Sequence, residues 1–258
     1  MRNWNALSEE ITNWISDYAL ENNIRSLVVG VSGGVDSAVT STLSARTGIR
    51  TIVLNMPIHQ RKHQNDLSEK HISWLKDNYN NVEERIVNLS KTYDSFVDAI
   101  SGVEVSDLAL ANSRARLRMT TLYATAGSNG GIVVGTGNKV EDFGVGFYTK
   151  YGDGGVDISP IADLFKTEVY QIARELDIID EIIQAAPTDG LWEDGRSDEE
   201  QLGASYEELE WAMKESKNLS NKDLSQREKE VLDIYQRLNK SNSHKMNPIP
   251  VFKLYRSD

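Results

Sequence analysis

The chain has 258 residues, with 39 acidic against 28 basic side chains, a net charge of −11 and no cysteine. That balance argues against the basic footprint of non-specific nucleic-acid binding, and the lack of thiols excludes disulfides, thiolate metal sites and a cysteine nucleophile. The length suits one large α/β domain or two small ones, and with no linker that divides the chain a single domain over 1–258 with a sizeable core is expected; with no apolar leader in Met1–Glu10 and no run long enough for a membrane span, the expected setting is the cytoplasm.

The first periodic segment is Leu7–Leu20, where Leu7, Ile11, Trp14, Ile15 and Tyr18 recur at helical spacing. Leu27–Val31 then reads as a buried strand. It runs into Ser32-Gly33-Gly34-Val35-Asp36-Ser37, after which Ala38–Leu43 starts a helix. Strand, glycine turn and helix N-terminus make an anion site, because backbone N–H groups point outward and the helix dipole favours negative charge. Gly33 and Gly34 let the backbone approach a phosphate, and Ser32 and Ser37 can donate hydroxyl hydrogen bonds. Neither a Walker A lysine nor the dinucleotide pattern G-x-G-x-x-G is present.

Arg50–Met56 reads as a second strand, stopped by Pro57, and Asp66–Asp77 as a helix. Val82–Leu89 is a weaker third strand, and Asp107–Ala126 a long helix bounded by Gly127 and Gly130-Gly131. Gly131–Gly135 is a short buried strand. Lys139–Asp157 is glycine-rich and reads as loop, and Asp163–Leu176 as amphipathic helix. Pro187–Gly203 is acidic, has no apolar period and reads as a mobile loop suited to closing over a site. Two further helical patterns, Tyr206–Met213 and Ser225–Leu238, precede a proline-containing tail. Strands alternating with helices imply a mostly parallel sheet covered on both faces. Ligands then sit at the carboxyl ends of the strands, so the phosphate loop and the Gly135-Thr136-Gly137 turn line one crevice.

Thr136 offers a hydroxyl to a nucleotide. Glu141, a few residues on, can reach the same site as Asp36, and the two are candidate ligands for one Mg²⁺, which favours a few carboxylates plus phosphate oxygens. His59 and His63 have the spacing of a metal helix, but Gln60 stands where H-E-x-x-H needs glutamate and Pro57 is near, so a surface loop is favoured over a zinc site. Arg114 and Arg118 share a helix face while Arg116 points elsewhere; two of these arginines could be structural. The acidic run Glu193–Glu200 reads as a solvated loop.

Ser-Gly-Gly-x-Asp-Ser resembles the pyrophosphate loop of the N-type ATP pyrophosphatases, which implies a grip on the β,γ-pyrophosphate and cleavage between the α and β phosphates. Taken with Asn112-Ser113-Arg114-Ala115-Arg116-Leu117-Arg118-Met119 and Phe147-Tyr148-Thr149-Lys150-Tyr151-Gly152-Asp153-Gly154-Gly155-Val156-Asp157, the set resembles the NAD synthetase family, above all its short ammonia-dependent members. The likeness is strongest over Asn112–Gly203, fair at the phosphate loop and weak across His59–Asp107. It implies a Rossmann-like fold and the reaction of ATP, deamido-NAD and ammonia to NAD, AMP and pyrophosphate, through an adenylated carboxylate.

Residue by residue, the resemblance implies that ATP is held by Gly30, Val31, Ser32, Gly33, Gly34, Val35, Asp36, Ser37, Thr136, Lys166 and Thr188. Mg²⁺ falls to Asp36 and Glu141. Deamido-NAD falls to Arg116, Lys150, Asp157, His244 and Lys245, with Lys166 and Asp153 as catalytic groups and Asp153 placing ammonia. A homodimer with deamido-NAD at the subunit interface is also implied. Glutamine-dependent members carry an amidase domain with a catalytic cysteine, which this sequence lacks; a separate glutaminase partner stays open. The competing readings are another pyrophosphate-loop enzyme, such as a tRNA-modifying ligase or the synthetase half of GMP synthetase, and a non-catalytic adenine-nucleotide sensor.

Overall fold

Four strands, β1 (Ser26–Gly30), β2 (Arg50–Asn55), β3 (Val82–Ile86) and β4 (Gly131–Val133), pair in parallel in the order β3-β2-β1-β4. The computed structural model describes residues 2–60, 62–188, 197–216 and 224–254. The chain steps outward from β1 to β3, then returns through α4 (Ser90–Ala99) and α5 (Asp107–Ser128) to place β4 on the other side of β1. A crevice opens at such a reversal, beyond the carboxyl ends of the strands.

Alternation along β1 sorts the core. Leu27 and Val29 face α1 (Trp4–Glu21), α2 (Val35–Arg46) and α6 (Lys166–Glu175) through Ile15, Val39, Leu43 and Ile172; Val28 faces α5 through Met119, Leu122 and Ala126. Each fully buried Leu or Ile contributes ~1.5–3 kcal/mol. The sheet is thus parallel with helices on both faces, as the alternation of elements predicts. α3 (Lys62–Asn78) packs on β2 and β3, and the short α7 (Asp180–Ile183) follows α6. α2 is buried nearly all round, so its polar side chains turn inward on their own helix: Ser41, Thr42 and Ser44 donate to the carbonyls of Ser37, Ala38 and Thr40.

A second apolar cluster joins α8 (Asp198–Leu202), α9 (Tyr206–Glu215) and α10 (Gln226–Met246) around a π-helical turn, Val140–Val145. Here the structure corrects the sequence reading. The stretch Lys139–Asp157 is not all loop, because the π turn occupies part of it and ends at Gly146 with φ 64°. A π turn carries one residue more than an α turn, so no 3.6-residue period marks it. Within Pro187–Gly203, α8 forms on a capping box in which Ser197 Oγ accepts from Glu200 N–H. Residues 189–196 of that expected loop lie outside the described residues, and with them the first half of the Glu193–Glu200 run. α4 was not anticipated, and α3 begins at Lys62 rather than Asp66. No helix among the described residues is long and apolar enough to cross a membrane.

Candidate active site

A cavity of about 840 Å³ opens at the sheet reversal, and every residue from Gly30 to Ser37 lines it. Thr136, Glu141, Asp153, Lys166, Thr188 and Lys245 line it too. The phosphate turn is pinned by its own serines. Ser37 Oγ donates to the Gly34 carbonyl (2.9 Å) and accepts from Ser32 N–H (3.2 Å), while Ser32 Oγ accepts from Gly34 N–H (3.2 Å). Gly33 takes φ 88°, which a side chain disfavours. Gly34 caps α2 without a side-chain hydrogen bond, which leaves first-turn N–H groups open to an anion.

Three elements, α2, the π turn and α6, converge on one ionic cluster. Lys166, the first residue of α6, is only 3% exposed; its Nζ donates to Asp36 Oδ2 (2.5 Å) and Glu141 Oε1 (3.1 Å). Burial pulls its pKa down, but the two carboxylates more than reverse this, so the ammonium stays charged. Burial raises Asp36, Lys166 opposes that rise and Glu141 adds to it, for a net upward shift.

Asn138 is the joint of this cluster. Fully buried, it donates from Nδ2 to Asp36 Oδ1 (3.1 Å), while its Oδ1 accepts from the N–H groups of Val140 (3.0 Å) and Glu141 (3.2 Å). It therefore fixes the carboxylate after β1 and the start of the π turn after β4 together. The π turn also sends two consecutive acids toward the cavity, Glu141 and Asp142. Burial, then Glu141, Asp153 and Asp36, lift Asp142 to about 8. Its carboxyl lies where a Cβ on Gly137 would sit, so Gly137 admits it. Asp153 faces the cavity and accepts from Thr149 N–H (3.0 Å); burial dominates and lifts it to about 6. Asn138 and Asp142 were legible only as parts of the Thr-Gly turn and the glycine-rich stretch, and nothing in the sequence singled them out.

Of the remaining predicted residues, Lys245 lines the cavity, whereas Arg116, Lys150, Asp157 and His244 lie at its rim, off the wall. Arg116 Nε donates to the Lys150 carbonyl (3.3 Å), and Lys150 Nζ to the His244 carbonyl (2.8 Å), so these three are chained together. Asp157 is engaged by the fold: one oxygen accepts from Val133 N–H (2.7 Å), the other from the Tyr123 hydroxyl (3.0 Å). Lys245 Nζ donates to the carbonyls of Gly146 (2.6 Å) and Tyr148 (2.8 Å). It completes a ladder with Asn239 and Asn242, whose amides donate to Gly144 and Val145. Side chains three apart on α10 thus satisfy the carbonyls that end the π turn.

Other singled-out residues lie apart. His59 contacts Asp94 (2.7 Å) from an exposed loop, and the side chain of His63 is outside the described residues. Arg114 stacks over Tyr93 and Arg118 donates to the Met56 carbonyl, which are structural engagements, although Arg118 also reaches the cavity.

A glycine anion turn and an acid-lined Thr-Gly turn facing each other across one cavity narrow the field to nucleotide-activating folds, and comparison with known proteins decides within it. The NAD synthase family model matches residues 7–249. The chain belongs to the NAD synthase family. It is 35% identical to the NH₃-dependent NAD⁺ synthetase of Carboxydothermus hydrogenoformans, over 94% of this chain and 95% of that protein. With the NH₃-dependent NAD⁺ synthetase of Methanosarcina acetivorans it shares 38% identity, over 88% of this chain and 90% of that one. Among solved structures, the NMN synthetase of Francisella tularensis superposes with a TM-score of 0.87 at 29% identity, covering 98% of this chain and all of that one.

Proposed function

We propose that this member of the NAD synthase family amidates the nicotinate carboxylate of deamido-NAD with ammonia, driven by cleavage of ATP to AMP and pyrophosphate. The observation that carries the reading is the Lys166 ammonium shared by Asp36 and Glu141 beside the phosphate turn. The turn Gly30–Ser37 binds the β,γ-pyrophosphate, and Thr136 and Thr188 help hold the nucleotide. The carboxylate oxygen attacks the α-phosphorus; the bond from that phosphorus to the bridging oxygen breaks, and pyrophosphate leaves with the electron pair. Lys166 and the backbone donors stabilise charge on the α-phosphate and the leaving group by preorganised electrostatics. Ammonia then attacks the acyl carbon, AMP departs with the acyl–oxygen electron pair, and nitrogen loses a proton. Asp153, in the cavity, is the carboxylate assigned to place ammonia. Arg116, Lys150, Asp157, His244 and Lys245 are assigned to deamido-NAD, and a homodimer with that site at its interface is carried over from the family resemblance, as is the cytoplasmic setting.

Asp36 and Glu141 fit a Mg²⁺ ion. Asp36 stands in the phosphate turn and Glu141 lines the same cavity, and Mg²⁺ favours one or two carboxylates with substrate phosphate oxygens and waters completing its shell. Bound there, the ion supplies charge neutralisation on the phosphates.

The deciding experiment incubates the purified chain with Mg²⁺, ATP, ammonium and deamido-NAD. Stoichiometric NAD, AMP and pyrophosphate are expected; ADP and phosphate as products, or no NAD, overturn the reading. The likeness to the Francisella NMN synthetase favours a second acceptor, nicotinate mononucleotide. Parallel kcat/KM measurements on the two acceptors separate the readings, with deamido-NAD expected to lead.

A further inference from the structure

Tyr206 is the first residue of α9, is 3% exposed, and lies directly against the ionic cluster. Its hydroxyl donates to Glu141 Oε1 at 2.6 Å and lies 3.3 Å from Asp198 Oδ2. A phenol has a single proton, and the shorter distance assigns it to Glu141. The same ring carries the Lys166 ammonium 4.7 Å from its centroid, a cation–π contact in a desolvated setting. Burial and the neighbouring carboxylates drive the phenol strongly upward, so it remains a donor.

The residue is itself rigidly held. Its backbone N–H donates to Glu199 Oε1 (3.0 Å), and Ser205 before it forms a capping box with Glu208. Asp198, beside the hydroxyl, donates its N–H to the Pro187 carbonyl (3.0 Å), next to Thr188 on the cavity wall. One side chain therefore touches Glu141 after β4, Lys166 on α6 and the α8 segment at the cavity lip. Packing alone does not require this, because phenylalanine would fill the same space among Val140, Val145 and Leu209.

We infer that Tyr206 is the positioning residue of the cation site: its hydroxyl sets the Glu141 carboxylate and its ring steadies the Lys166 ammonium. This rests on the reading of Asp36 and Glu141 as metal ligands. Without the hydroxyl, Glu141 Oε1 keeps only Lys166 as a donor among the described residues, and its carboxylate is free to turn.

The test measures Mn²⁺ binding by electron paramagnetic resonance, with α,β-methylene-ATP present, on the full chain and on Tyr206→Phe, Tyr206→Leu, Glu141→Gln and the Tyr206→Phe/Glu141→Gln double variant. The Phe variant should bind Mn²⁺ about ten- to a hundredfold more weakly, the range for one charge-assisted hydrogen bond. Its Mg²⁺ requirement for pyrophosphate release should rise in step, with the acceptor KM unchanged. The Leu variant should add a rise in the KM for ATP, because Lys166 loses the ring. If the hydroxyl acts through Glu141, the double variant should bind no more weakly than Glu141→Gln alone. Wild-type Mn²⁺ affinity in the Phe variant, or losses that multiply in the double variant, overturns the inference while leaving the metal assignment standing. A wild-type chain that binds no Mn²⁺ with nucleotide overturns both.

Discussion

Lys166 and Asp36 are 130 positions apart and meet as a buried ion pair, Nζ to Oδ2 at 2.5 Å. Each stands in the first turn of its helix, α6 and α2. For Asp36 that is the favourable end of the dipole; for Lys166 it is the unfavourable end. The ammonium is held there by the carboxylates of Asp36 and Glu141, so its position depends on them and theirs on it.

Lys166→Met should therefore act on stability as well as on chemistry. Two carboxylates would face each other without a counter-charge, and breaking such a buried arrangement costs ~3–5 kcal/mol. Urea unfolding without nucleotide should show that loss, and adding Asp36→Asn in the same background should restore part of it. ATP-dependent pyrophosphate release should slow by about ten- to a hundredfold. A Met variant of wild-type stability would show that the cluster is not balanced as described.

Asn138→Ala should damage both arms of the site. The substitution strips a donor from Asp36 and leaves the N–H groups of Val140 and Glu141 without their acceptor. A buried polar group left unpaired costs ~1–3 kcal/mol. Thermal unfolding should fall, and the Mg²⁺ concentration for half-maximal activity should rise. Unchanged Mg²⁺ dependence in a folded Ala variant would remove Asn138 from the site.

These two residues also show where the sequence was readable. The phosphate turn was legible because strand, glycines and helix start are contiguous, and the anion site they build is local. Glu141 was legible from its place just after the Thr-Gly turn, but Lys166 only through family likeness, since nothing local says that α6 brings it to the site. Asn138 was invisible as a joint because one of its hydrogen bonds runs to Asp36 on a distant helix, while the other two close on the π turn. The π turn escaped because its extra residue breaks the helical period. α10 was cut short at Leu238 because the Asn and Ser residues after it are weak helix formers; the ladder from Asn239, Asn242 and Lys245 to the π-turn carbonyls is a tertiary reason for that helix to continue.

Nitrogen should enter as free ammonia. With no cysteine, the chain has no thiol with which to open glutamine by the amidase route. At fixed, low total ammonium the rate should rise from neutral to mildly alkaline pH, because NH₃ rather than NH₄⁺ attacks. NAD formed from glutamine while free ammonia is scavenged would contradict this.

Rim and cavity should separate kinetically. Lys150→Ala and Arg116→Ala break the chain linking Arg116, Lys150 and His244, and should raise the KM for deamido-NAD by about tenfold or more while changing that for ATP less. If the acceptor lies at a subunit interface, dilution should weaken its binding before that of ATP. Equal shifts for both substrates would mean that the rim is not the acceptor site.

Acid sensitivity should trace in part to His71. This side chain is fully buried; its Nε2 lies 2.9 Å from Ser41 Oγ, and its ring stacks on Trp74. Ser41 spends its proton on the Ser37 carbonyl at 2.7 Å, so His71 is the donor, from a neutral imidazole with the proton on Nε2. A second proton would place a charge in the dry interior at the base of the phosphate turn, and burial lowers the pKa from 6.5 to about 4. The sign follows from linkage. Between pH 6.5 and about 4 the unfolded chain takes up a proton that the folded chain refuses. The contribution is whole above the unfolded value and is lost as pH falls through the folded one, an effect of about 3 kcal/mol. Asp142 and Asp153, raised to about 8 and about 6, pull the other way over part of this range, so the wild-type curve alone does not isolate the histidine. The difference between wild type and His71→Gln does. Urea unfolding at steps from pH 7 to pH 4.5 should show the Gln variant losing less stability on acidification; parallel curves would mean that His71 takes up its proton in the folded chain as readily as in the unfolded one.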